Sequence, residues 1–126
     1  TRLNISNRYT NALTSLSGLR LPGVIPDSKH ALHLYPIRIA RGQRDTVISK
    51  LMQQGISITV NFRPVHLLSF FSRTLKHSPG DFPIAEEIGS STISLPFYPS
   101  IPDRDINAVI EALRNTLGGN GGAARI

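Results

Sequence analysis

Apolar side chains recur every three or four residues in three stretches of the chain, and this spacing is typical of amphipathic helices. The pattern predicts helices over residues 3–17, 44–55 and 102–117. Gly18 and Gly118 are expected to end the first and last helices, and Gly55 stands where a left-handed residue ends the second. The predicted buried stripes contain Ile5, Tyr9, Ala12, Leu13 and Leu16, then Val47, Ile48, Leu51 and Met52, then Ile106, Val109, Ile110, Leu113 and Leu117.

Three shorter stretches have the composition of β-strands: residues 30–40, 56–62 and 92–96. Pro36 lacks a backbone N–H, so it predicts an edge position or a bulge for the first strand. Apolar and polar residues alternate strictly in the second strand. This alternation predicts that Phe62 points with the apolar face and Asn61 with the polar one.

Two short helices, at residues 66–76 and 84–91, complete the predicted order. The pattern indicates an α+β fold in which a small three- to four-stranded sheet is covered by helices. The direction of the strands, parallel or antiparallel, is left open. We expect residues 1–117 to form one domain, followed by a flexible Gly-rich tail at residues 118–126.

Composition narrows the classes of function. The 126 residues carry a net charge of +6, which suits an anionic partner, but lysine and arginine are scattered singly and no basic run appears. A solvated basic surface is therefore favoured over a nucleic-acid-binding module. No apolar run is long enough to cross a membrane. The absence of cysteine excludes disulfides, thiolate metal sites and a cysteine nucleophile.

Few residues are placed to carry chemistry. The spacings of serine, histidine and glycine match no catalytic serine turn, metal site or phosphate loop. The acidic pairs Glu86–Glu87 and Asp103/Asp105 are interpreted as helix-surface and helix-start charges. Asn61, Arg63 and His66 remain, between a predicted strand and a predicted helix, where ligands often bind in α/β proteins.

Several segments, taken in order, carry a family resemblance: HLYPIRI, QQGISITVNFRPVHLLSFF, and FPIAEEIGSSTISLPFYPSIPDRDINAVIEALR. Over residues 3–117 the chain resembles the C-terminal part of the DegT/DnrJ/EryC1/StrS group, which are pyridoxal-phosphate-dependent sugar aminotransferases. The resemblance implies a fold like the C-terminal small domain of fold-type I aminotransferases.

The resemblance also implies an activity. Such enzymes transfer an amino group, usually from glutamate, to a keto group on a nucleotide-linked sugar. It implies a cytoplasmic homodimer without a membrane segment, in which a preceding large domain binds most of the pyridoxal phosphate and supplies the Schiff-base lysine. Lys29, Lys50 and Lys76 do not match the family's lysine motif, so this chain is expected to hold no catalytic residue.

The family motif HY-x-P-x-H corresponds to residues 61–66, where Pro64 and His66 match and Asn61 and Phe62 replace the first two residues. The resemblance implies that Asn61, Phe62, Arg63 and His66 bind substrate along one wall of the cleft. Asparagine does not titrate near neutrality, so proton transfer at position 61 is in doubt. Two alternatives stay open: a stand-alone basic module that binds a polyanion, and an inactive homologue that keeps the fold.

Overall fold

The computed structural model describes residues 1–118, and within them the chain forms five α-helices and a three-stranded sheet. None of these helices is both long and apolar enough to cross a membrane. The α+β prediction is confirmed, whereas the predicted tail after Gly118 lies outside the described residues. The helices are α1 (Arg2–Leu13), α2 (Arg44–Gln53), α3 (Ser69–Leu75), α4 (Pro83–Ser91) and α5 (Asp103–Gly118), and a 3-10 turn spans Val65–Leu67. The strands are β1 (Leu19–Arg20), β2 (Pro36–Ile39) and β3 (Thr92–Ser94).

The sheet is antiparallel throughout, with β2 between β1 and β3. The edge position predicted from Pro36 is therefore wrong for the strand as a whole. The reason for that prediction, the missing backbone N–H of Pro36, still applies locally, because β1 pairs only with Arg38 and Ile39. Pro36 begins the strand and pairs with β3 alone, so its missing N–H leaves no gap in the β1 ladder.

The strand predicted over residues 56–62 is wrong. This segment joins the sheet through a single bridge, in which the Ser94 N–H donates to the Thr59 carbonyl at 2.8 Å. Ile56 and Ile58 pack against the core, but Phe62 is 70% exposed and does not share their face. Alternating apolar and polar residues indicate which side chains of a segment are buried. They do not indicate whether a neighbouring strand runs beside the segment and forms hydrogen bonds with it.

The core lies where α1, α2 and α5 pack together and against the sheet. Helix α5 buries its whole predicted stripe, whereas Ala12, Leu16 and Ile48 are only partly buried and Met52 is exposed. Helix α1 ends at Leu13, so the predicted end at Gly18 is wrong, and Gly55 takes the expected left-handed conformation with φ of 79°. Tyr9 is fully buried, and its hydroxyl donates to the Pro96 carbonyl at 2.9 Å. The largest fully buried side chains are Tyr9, Tyr35, Leu13, Ile37, Leu51, Ile93, Ile106, Leu113 and Val109.

Helix α3 stands apart from this core, since none of its residues is buried. Phe70 is 67% exposed and Leu75 is 58% exposed. Phe62, Val65 and Ile84 add further exposed apolar area to the same part of the chain. We call these five side chains the apolar surface. Exposed apolar side chains concentrated in one stretch of the chain indicate a surface that another polypeptide covers.

Candidate functional site

Residues 61–66, which we call the crossing segment, connect the Thr59 bridge to the 3-10 turn. On the way they pass over α4 and touch it at two points. His66 is bonded to Glu86, and Pro64 lies against Gly89. The position of the crossing segment is therefore set by α4 as well as by the sheet.

The contact at Gly89 requires glycine. A Cβ built there would lie 2.6 Å from Pro64 Cδ and 3.3 Å from the Phe62 carbonyl oxygen. Real Cβ atoms essentially never approach another heavy atom as closely as 2.6 Å. Because the side of α4 at this position is bare backbone, the crossing segment can lie directly on the helix.

His66 is buried at 8% exposure, and its Nε2 lies 2.9 Å from Glu86 Oε1. An ionised carboxylate only accepts hydrogen bonds, so Nε2 carries the hydrogen and donates. The Gly80 N–H donates to the same oxygen at 2.8 Å. The bond from His66, followed by the bond from Gly80, holds the pKa of the Glu86 carboxyl below its usual value.

We expect Glu86→Gln to remove an acid-sensitive part of the chain's stability. A carboxyl whose pKa is lowered by folding contributes stability above its unfolded pKa of about 4.3, and this contribution is lost as pH falls through the folded pKa. The variant should therefore be less stable than the parent near neutral pH. The difference should shrink as the pH is lowered from near 5 towards about 3, measured by thermal unfolding followed by circular dichroism.

Glu111→Gln is the matched control, because Glu111 is exposed on α5 and makes no hydrogen bond or ion pair within residues 1–118. Its stability should follow that of the parent at every pH. A Glu86→Gln deficit that stayed constant across the acid range would contradict the coupling between Glu86 and His66.

A small aromatic cluster fastens the loop before α4 to His66. The ring centroid of Phe82 lies 4.8 Å from that of His66 and 5.1 Å from that of His77, and the two imidazole centroids are 6.3 Å apart. Asp81 accepts from the Ser78 N–H at 3.0 Å and pairs with His77, and the Ser78 bond is the main reason why its pKa is lowered. His66 Nε2 is thus engaged within the protein, which favours a positioning role for this residue.

A groove of about 690 Å³ opens beside the crossing segment. Of the four residues predicted to bind substrate, Arg63 alone lines it. Phe62 points outward, and Asn61 is partly buried, with an Oδ1 atom that has no hydrogen-bond partner in the described part of the chain. The structure therefore brings Arg63 to the groove, and the other three do not line it.

Sequence reasoning missed two further arginines that line the groove, Arg41 and Arg44. Arg44 donates to the Gly89 carbonyl at 2.6 Å and pairs with Asp45 at 2.7 Å, so it ties the start of α2 to α4. The available signal was the run ARGQR between a strand and a helix, where loop side chains face open space.

The two carboxylates of α4 that line the groove have different partners. Glu86 holds the crossing segment through His66, whereas Glu87 pairs with Arg38 of β2. Ser91 accepts from Arg38 Nε at 3.1 Å and donates to the Glu87 carbonyl at 2.8 Å. Glu87 is therefore held by an ion pair with Arg38, and Glu86 by hydrogen bonds from His66 and the Gly80 N–H.

The described residues do not form a Schiff-base site for the pyridoxal phosphate that the resemblance implies. Lys29, Lys50 and Lys76 are all exposed, and neither this groove nor a smaller one beside it is lined by a lysine.

Comparison with known proteins gives consistent matches. The model of the DegT/DnrJ/EryC1/StrS aminotransferase family matches residues 1–114. The spore coat polysaccharide biosynthesis protein SpsC of Bacillus subtilis is 36% identical over 123 residues, which are 94% of this chain and 32% of that protein. The dTDP-3-amino-3,4,6-trideoxy-alpha-D-glucose transaminase of Micromonospora megalomicea subsp. nigra is 34% identical over 124 residues, again 94% of this chain and 32% of that protein.

A solved structure supports the same placement. NtdA from Bacillus subtilis, crystallised with bound cofactor PMP, superimposes with a TM-score of 0.80 at 26% identity, covering 93% of this chain and 28% of that one. The chain spans about a third of the length of the curated relatives it matches. The resemblance noted in the sequence is confirmed, and the chain belongs to the DegT/DnrJ/EryC1/StrS aminotransferase family.

Proposed function

We propose that residues 1–117 are the C-terminal small domain of a pyridoxal-phosphate-dependent aminotransferase that acts on a nucleotide-linked keto sugar. In this proposal the crossing segment forms one wall of the substrate cleft. The family match over residues 1–114 is the observation that carries it. The relative from Micromonospora is named as a transaminase of a dTDP-linked amino sugar, which favours the same substrate class.

The residues present in this chain indicate which part of the activity it would carry. Pyridoxal phosphate supplies the amino-transfer chemistry, and we assign its lysine to the part of the relatives that this chain does not cover. In this proposal, the present chain binds and orients the substrate. Arg63 presents a planar cation that suits a phosphate or carboxylate group. Asparagine at position 61 cannot carry a proton between atoms, and its Oδ1 is buried and does not line the groove.

The apolar surface supports a neighbouring domain. Phe62 at 70% and Phe70 at 67% exposure are expensive to leave in water, and burying each would contribute about 1.5–3 kcal/mol. We propose that the large cofactor domain, or a second subunit of a homodimer, covers them. The proposal includes a cytoplasmic location, which the family resemblance implies, and it includes neither a membrane nor a nucleic acid as partner.

Replacing Arg63 with glutamine tests the wall. In the protein that carries this chain with its natural flanking sequence, Arg63→Gln should raise KM for the nucleotide-linked sugar about tenfold with little change in kcat, because the guanidinium binds substrate and transition state alike. Steady-state kinetics with pyridoxal phosphate and glutamate would measure both constants.

Arg104→Gln removes the same charge from an exposed position on α5 and should leave KM unchanged. If the Arg63→Gln enzyme had the KM of the parent, the proposed role of Arg63 in the wall of the substrate cleft would be refuted. Failure of the parent protein to bind pyridoxal phosphate and to take an amino group from glutamate would refute the proposed function itself.

A further inference from the structure

One residue of α4, Gly89, contacts both the start of α2 and the crossing segment. Its carbonyl accepts a hydrogen bond from Arg44 Nη1 at 2.6 Å. A Cβ on the same residue would lie 2.6 Å from Pro64 Cδ, so the crossing segment rests directly on Gly89. We propose that Arg44 is a positioning residue for the substrate cleft: it holds Gly89, and through Gly89 it sets where the crossing segment and Arg63 lie.

The place of Arg44 in its own helix points to a role elsewhere. It is the first residue of α2, where the positive end of the helix dipole disfavours a cation. Gly89 lies in the last turn of α4, where carbonyls have no partner within the helix and a cation is favoured. The electrostatics of both helices therefore favour the contact between this guanidinium and the end of α4.

The guanidinium of Arg44 is fully engaged within the protein, although the residue lines the groove. Its Nε and Nη2 lie 2.8 Å and 2.7 Å from Asp45 Oδ1, while Nη1 donates to the Gly89 carbonyl. The side chain is only 21% exposed. Because each of the three nitrogens has a partner in the chain, the geometry favours holding α4 in place over binding a ligand directly.

Other contacts hold the rest of α4, so the loss of Arg44 should act locally. Arg38 of β2 pairs with Glu87, and its Nε donates to Ser91 Oγ at 3.1 Å. These bonds attach the helix to the sheet on both sides of Gly89 in the sequence. Without Arg44, the helix should therefore remain folded while the turn around Gly89, and the crossing segment that rests on it, become looser.

Amide hydrogen exchange, followed by NMR in the complete 126-residue chain, tests this coupling without substrate. The Leu67 N–H donates to the Pro64 carbonyl at 3.0 Å and reports on the end of the crossing segment. Arg44→Gln should speed its exchange about tenfold, since a hydrogen bond from a charged group is lost. The Leu95 N–H, bonded to the Tyr35 carbonyl at 3.1 Å, reports on the core and would reveal any loss of overall stability.

Arg114→Gln is the matched control. Arg114 also donates to a carbonyl near a helix end, that of Ala12 in α1, at 3.0 Å, but it lies on α5 and outside the groove. Exchange at Leu67 should stay at the rate of the parent in this variant. An unchanged rate in Arg44→Gln, or an equal acceleration in both variants, would overturn the proposal.

Steady-state kinetics separate positioning from direct binding. In the protein that carries this chain with its natural flanking sequence, Arg44→Gln should raise KM for the nucleotide-linked sugar about threefold, with little change in kcat. Arg44→Gln combined with Arg63→Gln should have the KM of Arg63→Gln alone, because Arg44 acts through the position of Arg63. If the two effects multiplied, Arg44 would act independently of Arg63, and the positioning role would be wrong. Arg114→Gln should keep the KM of the parent.

The link from Arg44 to the substrate cleft rests on the proposed function, whereas the link from Arg44 to the crossing segment does not. The exchange measurement uses neither pyridoxal phosphate nor an amino donor. Transamination by the parent with no acceleration at Leu67 in Arg44→Gln would leave the proposed function standing and remove the positioning role. Acceleration at Leu67 without transamination would keep the coupling and remove its assignment to a substrate cleft.

Discussion

Replacing Tyr9 with alanine should lower the free energy of unfolding of this chain by about 3–5 kcal/mol. Tyr9 is fully buried between α1 and the rest of the core, and its ring lies 5.1 Å from that of Tyr35. Truncation would remove the ring contacts, leave a cavity and leave the Pro96 carbonyl without its donor. Urea unfolding followed by circular dichroism would measure the loss as a lower midpoint.

Tyr9→Phe separates the two contributions. The ring stays in place, but the Pro96 carbonyl loses its hydrogen bond, which should cost about 1–3 kcal/mol. The alanine variant should therefore be clearly less stable than the phenylalanine variant. Equal losses would mean that the ring packing contributes nothing, which its complete burial argues against.

Gly89→Ala should destabilise the chain by about 1–3 kcal/mol, although alanine is the better helix former. In an open helix the same change would stabilise by about 0.5–1 kcal/mol. Here the new methyl group would meet the Pro64 ring at 2.6 Å, and the Phe62 carbonyl stands behind it. The crossing segment must lift off α4 or α4 must shift, and either movement strains the His66–Glu86 bond.

Gly118→Ala is the matched control, because Gly118 is also helical and a Cβ there would meet nothing within 4 Å among residues 1–118. It should be neutral or slightly stabilising by urea unfolding. If the two alanine variants were equally stable, the crossing segment would not rest on α4, and the geometry of the groove would need revision.

The long helices were predictable because their burial repeats along the sequence. All five apolar residues predicted for the stripe of α5 are buried, and so are Ile5, Tyr9 and Leu13 of α1. The sheet was less predictable. Strand β1 has two residues, too few to show any alternation, and residues 56–62 alternate without forming a strand. Whether a segment forms a strand depends on the strand that pairs with it, and that partner lies far away in the sequence.

The site shows the same division. The clustering of Asn61, Arg63 and His66 pointed to the crossing segment, because three polar groups interrupt an apolar stretch there. The partners of that segment were not predictable. His66 and Glu86 are 20 residues apart, and no periodic pattern connects them. Arg41 is also distant in sequence from the crossing segment, so only the folded structure shows that both line one groove.

Helix α4 runs directly into β3, since Ser91 ends the helix and Thr92 begins the strand. The hydroxyls of both residues close the helix end, as Ser91 donates to the Glu87 carbonyl and Thr92 donates to the Ile88 carbonyl at 2.7 Å. With no loop to absorb a change of length, one inserted or deleted residue at this junction would rotate Gly89 and Glu86 away from the crossing segment. During evolution, length variation should therefore collect in the exposed stretch 23–31 and be absent between positions 86 and 94.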